Sequence, residues 1–415
     1  MQHHRPLLSV DRARTAPRRA ALATAVALLS AAFMAACGGG GGDSPSASGP
    51  TAMPSGAGSY AQGAITGFGS VIVGGVRFDD SNASVTDDDD GVRSRSEFRL
   101  GMTVAVDGGA VDRAANGASA LALRIRLGNE IVGPVGAVDT TASTLTVLGQ
   151  TVLVTTSTVF DDSLSGGLAA VRVGQVLEVY GMLDPAGGRV VATRVELEDS
   201  ASVYKLRGAI TALDTTAKTF SIGGQTISYA GLPAASVPPG LANGQIVRVR
   251  LATTQVNGQW VATALRGGLR LLPALPDAKV EGVITAFTSS ASFSVNGLAV
   301  NAANANFPDG NSGVVLGARV EVSGRVVDGV LVASKVEIED RRTLGLRPLE
   351  LRGELGNLDT AAKTFALRGV TVWYGGSVDW RDGSEATLAN GRRVEVRGVL
   401  SADRTRLEAR RIDFK

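Results

Sequence analysis

The chain repeats itself five times. The segments GAITGFGS from Gly63, GPVGAVDT from Gly133, GAITALDT from Gly208, GVITAFTS from Gly282 and GELGNLDT from Gly353 align at spacings of 70, 75, 74 and 71 residues. A second landmark closes each unit: LGMTVAVDG, VGQVLEVYG, NGQIVRVR, LGARVEVSG and NGRRVEVRG, with its first Gly at 101, 174, 244, 317 and 391. Two landmarks holding one period mark tandem units, so whatever one unit folds into, the chain must form five times.

Within a unit the pattern is that of short strands. In the third, LRGAITAL is followed by the turn Asp214 to Thr219, then FSI, the pair Gly223-Gly224 and QTISY, a meander of three strands joined by tight turns. A Gly/Pro-rich stretch from Gly231 to Gly244 interrupts the pattern before IVRVRLA, and WVATALR supplies a fifth strand. Alternation is plain in RVEVSGRV, with Val320, Val322 and Gly324 on one face and Arg319, Glu321, Ser323 and Arg325 on the other. Five short strands in so few residues bury a core only by curling up, because a flat sheet leaves an apolar face and two open edges. The expected fold is all-β: five tandem OB-like barrels, as in the oligonucleotide/oligosaccharide-binding fold, at 60–130, 131–200, 201–268, 269–345 and 346–415. The competing arrangement is an elongated sheet or sandwich in which neighbouring repeats share strands.

The N-terminus precedes the repeats and differs from them. Arg5, Arg12, Arg14, Arg18 and Arg19 face one acid, Asp11, and run into an apolar stretch from Ala20 to Ala36. That is a basic region followed by an apolar one too short for a comfortable membrane span, and it is expected to be a cleavable signal at 1–36. Its end, Met34-Ala35-Ala36-Cys37, resembles the lipobox of bacterial lipoproteins, although Met34 stands where Leu is usual. The resemblance implies diacylation of Cys37, the single cysteine, and frequently a third acyl chain such as palmitate. At about 0.8 kcal/mol per buried methylene, such an anchor is effectively permanent. Residues 37–59 then read as a tether: Gly38 to Gly42 lacks the Gly-Lys-Ser/Thr ending of a phosphate loop, and Ser, Pro and Gly dominate beyond it. Gly38 after the cysteine resembles the outer-membrane-sorted kind of lipoprotein.

Removal of 1–36 changes the chemistry available. That segment holds five of the 41 basic and one of the 39 acidic residues, so the mature chain is about −2 and its basic pI is no argument for nucleic acid. It also holds both histidines, His3 and His4. The mature chain is left without Ser-His-Asp or Cys-His machinery and without the His and free Cys ligands on which zinc, copper and haem sites depend. No cofactor is implied.

The first unit, GAITGFGSVIVGGVRFDDSNASVTDDDDG followed by LGMTVAVDG and ALALRIRL, resembles the bacterial domain of unknown function 5666. Ile65, Gly67, Phe68, Gly69, Ser70, Val76, Phe78, Gly101 and Met102 carry the likeness, which weakens in later units where Gly67 to Ser70 is replaced by residues such as Ala212 to Thr215. The resemblance implies small barrels in tandem and an envelope location, with no catalytic residue to carry over.

Two groups of residues invite a sharper assignment. Asp87, Asp88, Asp89 and Asp90, with Asp79 and Asp80 a strand earlier, form the densest charge in the chain. Calcium takes several oxygens, but consecutive residues of an extended chain point in alternate directions and the EF-hand spacing is absent, so a solvated hairpin tip is expected instead. Trp373, Tyr374 and Trp380, with Trp260 and Tyr229, suggest a sugar-stacking platform, against which stands the role of large aromatics as core filling. Adjacent Trp373 and Tyr374 must face opposite ways in a strand, and Trp380 falls in the loop beyond. The expected function is a membrane-anchored, non-catalytic envelope module that binds or spaces, with an envelope protein or polysaccharide as partner; the alternative is a carboxylate-dependent hydrolase acting on envelope glycans.

Overall fold

The structure is a computed structural model that describes residues 58–114, 117–184, 188–268, 272–338, 349–402 and 405–415. The signal segment 1–36, Cys37 and the tether up to residue 57 lie outside the described residues. What is described is all-β, broken only by short 3-10 turns.

Each unit closes into a barrel of five strands. In unit 2 these are Ile131–Asp139, Thr144–Val147, Gln150–Phe160, Val176–Asp184 and Arg189–Leu197. The first pairs antiparallel with the second and the second with the third; the third runs parallel to the fifth, and the fourth lies between the fifth and the first. That circuit is a Greek-key barrel of OB type, and it recurs in every unit. In unit 3 the five segments anticipated by alternation become Tyr204–Ala209 with Thr211–Asp214, then Thr219–Ile222, Gln225–Ser228, Ile246–Leu251 and Trp260–Gly267.

The repeating glycines mark backbone positions that other residues fill at a cost. The closing landmark places Gly101, Gly174, Gly244, Gly317 and Gly391 at φ between 80° and 89°, in the left-handed region that L side chains avoid. The hairpin between the second and third strands has positive φ at both central residues in every unit: Gly74-Gly75, Leu148-Gly149, Gly223-Gly224, Asn296-Gly297 and Arg368-Gly369. Those are type I′ signatures, whose twist matches that of the flanking strands.

Closed barrels and pairing between units coexist here. The long first strand of unit 1, Ser59–Phe68, pairs with its own barrel along one edge at a time and leaves the other edge free. Ser59 to Gln62 use that edge to pair in parallel with Asp277 to Val280 of unit 4, and Gly67-Phe68 pair with Glu350-Leu351 of unit 5. Ile131-Val132 of unit 2 likewise pair with Lys205-Leu206 of unit 3. Unit 1 thus bonds to units distant in sequence, which neither independent beads nor simple neighbour sharing anticipates. The cores merge accordingly: units 1 and 5 share one apolar cluster, units 2 and 3 another, and unit 4 has its own, reached by Tyr60 of unit 1.

Unit contacts also revise the two-faced strand picture. Val320 and Val322 are buried as the alternation requires, but Glu321 on the opposite face is only 4% exposed, and the register shifts between Ser323 and Gly324. This part of the unit 4 outer wall is enclosed, and Glu321 pairs there with Lys279 at 2.8 Å. The first strand also starts at Ser59, which is buried, one residue inside the expected tether.

Candidate functional site

Units 1 to 4 meet around a cavity of about 320 Å3, lined by Tyr60, Arg126, Glu130, Arg207, Arg248 and Glu281 among others. One side of it is the outer wall of unit 3, made by the first, fourth and fifth strands. Their cross-strand registers set Lys205 opposite Arg250 and Arg207 opposite Arg248, with Arg248 in turn opposite Arg266. Five cations on one wall repel one another and cannot be left without counter-charge.

The counter-charge is the acidic run of unit 1. Asp88 reaches Arg248 at 3.0 Å; Asp89 lies 3.8 Å from Lys205 and 3.7 Å from Arg250; Asp90 lies 3.1 Å from Arg266 and 3.8 Å from Arg126. Asp87 faces its own unit, pairing with Arg93 at 3.3 Å and accepting from the backbone N–H of Asp89 and Gly91 at 2.9 and 2.8 Å. Those backbone bonds, with the charges of Lys205 and Arg93, hold its carboxyl below the usual range despite partial burial.

The run is more enclosed than the solvated tip that its sequence suggests. It is not wholly a solvated tip, since the Asp87, Asp88 and Asp89 side chains are 15–22% exposed and only Asp90, at 48%, is open. Nor do its carboxylates converge on a cation: consecutive side chains diverge to different basic partners, and among the described residues no three His, Cys, Asp or Glu are grouped to hold a metal. The sequence did contain a signal for the partner. IVRVRLA carries Arg248 where the equivalent strands of units 2, 4 and 5, LEVYG, VEVSG and VEVRG, carry Glu178, Glu321 and Glu395.

Behind this clasp lies a sealed ion pair. Glu130 Oε1 accepts from Arg207 Nη1 at 2.7 Å, and Arg207 Nη2 donates to the Gly268 carbonyl at 2.9 Å. Glu130 Oε2 and Arg207 Nε are buried without a partner. Desolvation pushes the Glu130 carboxyl up, an effect that Arg207 offsets in part.

A second cavity, about 340 Å3, is lined by Asp161, Glu178, Tyr180 and Glu196 of unit 2 together with residues of units 1 and 3. Glu178 and Glu196 are cross-strand partners. Asn129 donates to Glu178 at 2.6 Å, and Arg194 Nε donates to Glu196 at 2.6 Å. Burial pushes the Glu196 carboxyl up against the pull of Arg194, and it pushes the Tyr180 hydroxyl well up.

The aromatic residues do not assemble into a platform. Tyr374 is 2% exposed in the shared core of units 1 and 5, and its ring lies 5.8 Å from Phe365 and 6.2 Å from Trp380. Trp380 is not in a loop: it sits in the short strand Asp379–Arg381, paired with Arg411 to Asp413, and stacks on Phe414 at 6.2 Å. Only Trp373 of the three stays clear of this core, with the Arg406 guanidinium 5.1 Å above its ring. Trp260 is buried and donates from Nε1 to Gln225 at 2.9 Å.

Comparison with known proteins bears on the family. No curated protein matches the chain. Among solved structures, the chain is similar to "drosophila Unr CSD456", at 12% identity over 56% of this chain and 99% of that one; the TM-score of 0.12 is too low to bear on fold or ligand. The sequence profile of the family Domain of unknown function (DUF5666) matches residues 132–196, 207–266, 281–337 and 353–413. Those are units 2 to 5, so the match falls on the later units and not on the first, where the sequence motifs place the strongest likeness; unit 1 keeps the barrel but inserts the strand Ser84–Asp87 and the acidic hairpin before its fourth strand. With four tandem matches over more than half its length, the chain belongs to the family Domain of unknown function (DUF5666).

Proposed function

We propose that this chain is a lipid-anchored envelope protein whose five barrels form one non-catalytic binding body, held to the outer membrane through Cys37 and taking an envelope protein or polysaccharide as partner. The observation that carries the non-catalytic part is the state of the acids at the unit junction: Asp88, Asp89, Asp90 and Glu130 each face an arginine or lysine of unit 3. A hydrolytic carboxyl must exchange protons with a substrate, and these are committed to holding units together. Pairing between distant units favours a body that presents surfaces over a string that merely spaces.

The anchoring is tested by fractionation and intact-mass analysis. The wild-type chain should partition with membranes and carry added acyl mass, and Cys37→Ser should be soluble without it. A wild-type chain that is soluble and unacylated refutes the anchor.

One observation favours the hydrolase alternative. Glu178 and Glu196 are cross-strand neighbours and both line a cavity, and a retaining glycosidase needs two carboxyls close together. Prolonged incubation of the mature chain with envelope polysaccharide and peptidoglycan, analysed by mass spectrometry, separates the two. Our reading expects no product, and product formation lost in Glu196→Gln would establish the hydrolase.

A further inference from the structure

The outer wall of unit 5 occupies the same place in its barrel as the basic wall of unit 3. The registers make the equivalence explicit: Arg352 stands opposite Glu395 and Glu350 opposite Arg397, as Arg207 stands opposite Arg248 and Lys205 opposite Arg250. Arg352 is therefore the counterpart of Arg207, and Arg397 that of Arg250. Arg411 and Asp413 complete the wall from the last strand, and Lys415 and Arg77 of unit 1 close a groove of about 300 Å3 over it.

The groove is built from ion pairs but is not balanced by them. Arg77 grips Glu350 in a bidentate pair at 2.5 and 2.7 Å, and Arg397 reaches the same carboxylate at 3.2 Å. Arg352, Arg397 and Lys415 all bond Glu395, and Arg411 pairs with Asp413 at 2.6 Å. Five cations thus share three carboxylates, leaving a surplus of two positive charges. Arg352, Arg397, Arg411 and Lys415 remain 40–44% exposed.

We propose that this groove binds an acidic segment of a partner protein, carrying two or more neighbouring carboxylates. The chain itself provides the precedent, because the equivalent wall of unit 3 is covered by Asp88, Asp89 and Asp90. Guanidinium forks suit carboxylates, and cations spread over three strands suit an extended run of acids better than a point anion. Nothing among the described residues supplies such a run to unit 5. The groove shares no lining residue with the cavity beside the clasp of units 1 and 3 and does not depend on what that clasp does.

The test uses the mature chain made soluble by Cys37→Ser and a fluorescent peptide copying this chain's own residues 84–93. Fluorescence anisotropy at about 50 mM salt should show saturable binding that weakens steeply by 200 mM, as expected where the Debye length shortens. Arg411→Gln should weaken binding at least fivefold, Arg411→Lys less than twofold, and a version of the peptide with Asn for every Asp should not bind. Arg411 is chosen because its ion pair is with Asp413 and not with Glu395, so its loss leaves the Glu395 pairs standing; an unchanged unfolding midpoint verifies this. Absence of binding overturns the proposal, as does binding indifferent to Arg411→Gln. Binding abolished by Arg248→Gln with Arg250→Gln would mean exchange with the clasp of unit 3, and overturns it equally. Recruitment of anionic phosphatidylglycerol vesicles without the peptide would assign the groove to a lipid surface and exclude our partner.

Discussion

Replacing Asp88, Asp89 and Asp90 together by Asn should loosen unit 1 from unit 3 without opening either barrel. Four contacts of 3.0 to 3.8 Å between the units are removed together with the Asp90–Arg126 pair inside unit 1, and of the five unit 3 cations only Arg207 keeps an ion pair, with Glu130. At an effective dielectric of about 20, one such pair has a Coulomb attraction of roughly 4 kcal/mol. Desolvation and side-chain ordering cancel most of it, and exposed pairs net about 0.2–1 kcal/mol. These pairs are partly shielded, so about 0.5–1 kcal/mol for each of the four contacts between the units gives a total near 2–4 kcal/mol. Urea unfolding of the soluble mature chain should show that loss, and small-angle scattering should show a larger radius of gyration for the variant. A cycle of Asp88→Asn with Arg248→Gln should return a coupling of about 0.5–1.5 kcal/mol. In 1 M NaCl, where the Debye length is about 3 Å, the gap between wild type and variant should narrow. If the triple variant unfolds and scatters as wild type at low salt, the acidic run does not hold the units together.

The other expectations are more local. Glu130→Gln leaves the Arg207 guanidinium buried without its counter-charge and should cost about 3–5 kcal/mol, whereas Glu130→Leu with Arg207→Met should recover most of it; equal loss in both would show that the pair acts through more than its charge. Glu395 has its carboxyl drawn to about 2 by Arg352 and Lys415 against the effect of burial. A folded value below the unfolded one means stabilisation that is complete above about pH 4.5 and fades as pH falls toward 2. Wild type should therefore exceed Glu395→Gln by about 1–2 kcal/mol at pH 7 after solvent screening, and converge with it near pH 2; a gap independent of pH refutes the assignment. Gly244→Ala meets no atom within 4 Å, so only its φ of 85° is strained and about 1–2 kcal/mol should be lost. Gly101→Ala adds a methyl 2.5 Å from the Thr193 carbonyl oxygen and should cost more; denaturant midpoints compare the two.

The barrels were legible because their determinants are local. Each landmark Gly reports a left-handed backbone position, each GG or NG pair a type I′ hairpin, and each alternating run such as IVRVRLA a wall with Val247 and Val249 inside. The candidate site was not, because it arises where outer walls meet. No periodicity within a unit says that Asp88 lies against Arg248, 160 positions on, or that Ser59 pairs with Asp277. The aromatic residues fell between: neighbour alternation correctly separated Trp373 from Tyr374, but the short strand holding Trp380 depends on pairing with the final strand, which the loop sequence does not announce.

The pairing of Ser59 to Gln62 with Asp277 to Val280, and of Gly67-Phe68 with Glu350-Leu351, also constrains how the chain is made. A chain that emerges N-terminus first completes the first barrel while the strands that cover its free edges are still unmade. Long-range pairings of this kind form late, since loop closure must precede any gain from the contacts. Until unit 4 and then unit 5 arrive, unit 1 exposes first two and then one short stretch of unpaired backbone able to recruit a stray strand. Truncation at the end of any earlier unit fixes that vulnerable state permanently, so the last barrel acts as the closing step in the maturation of the first.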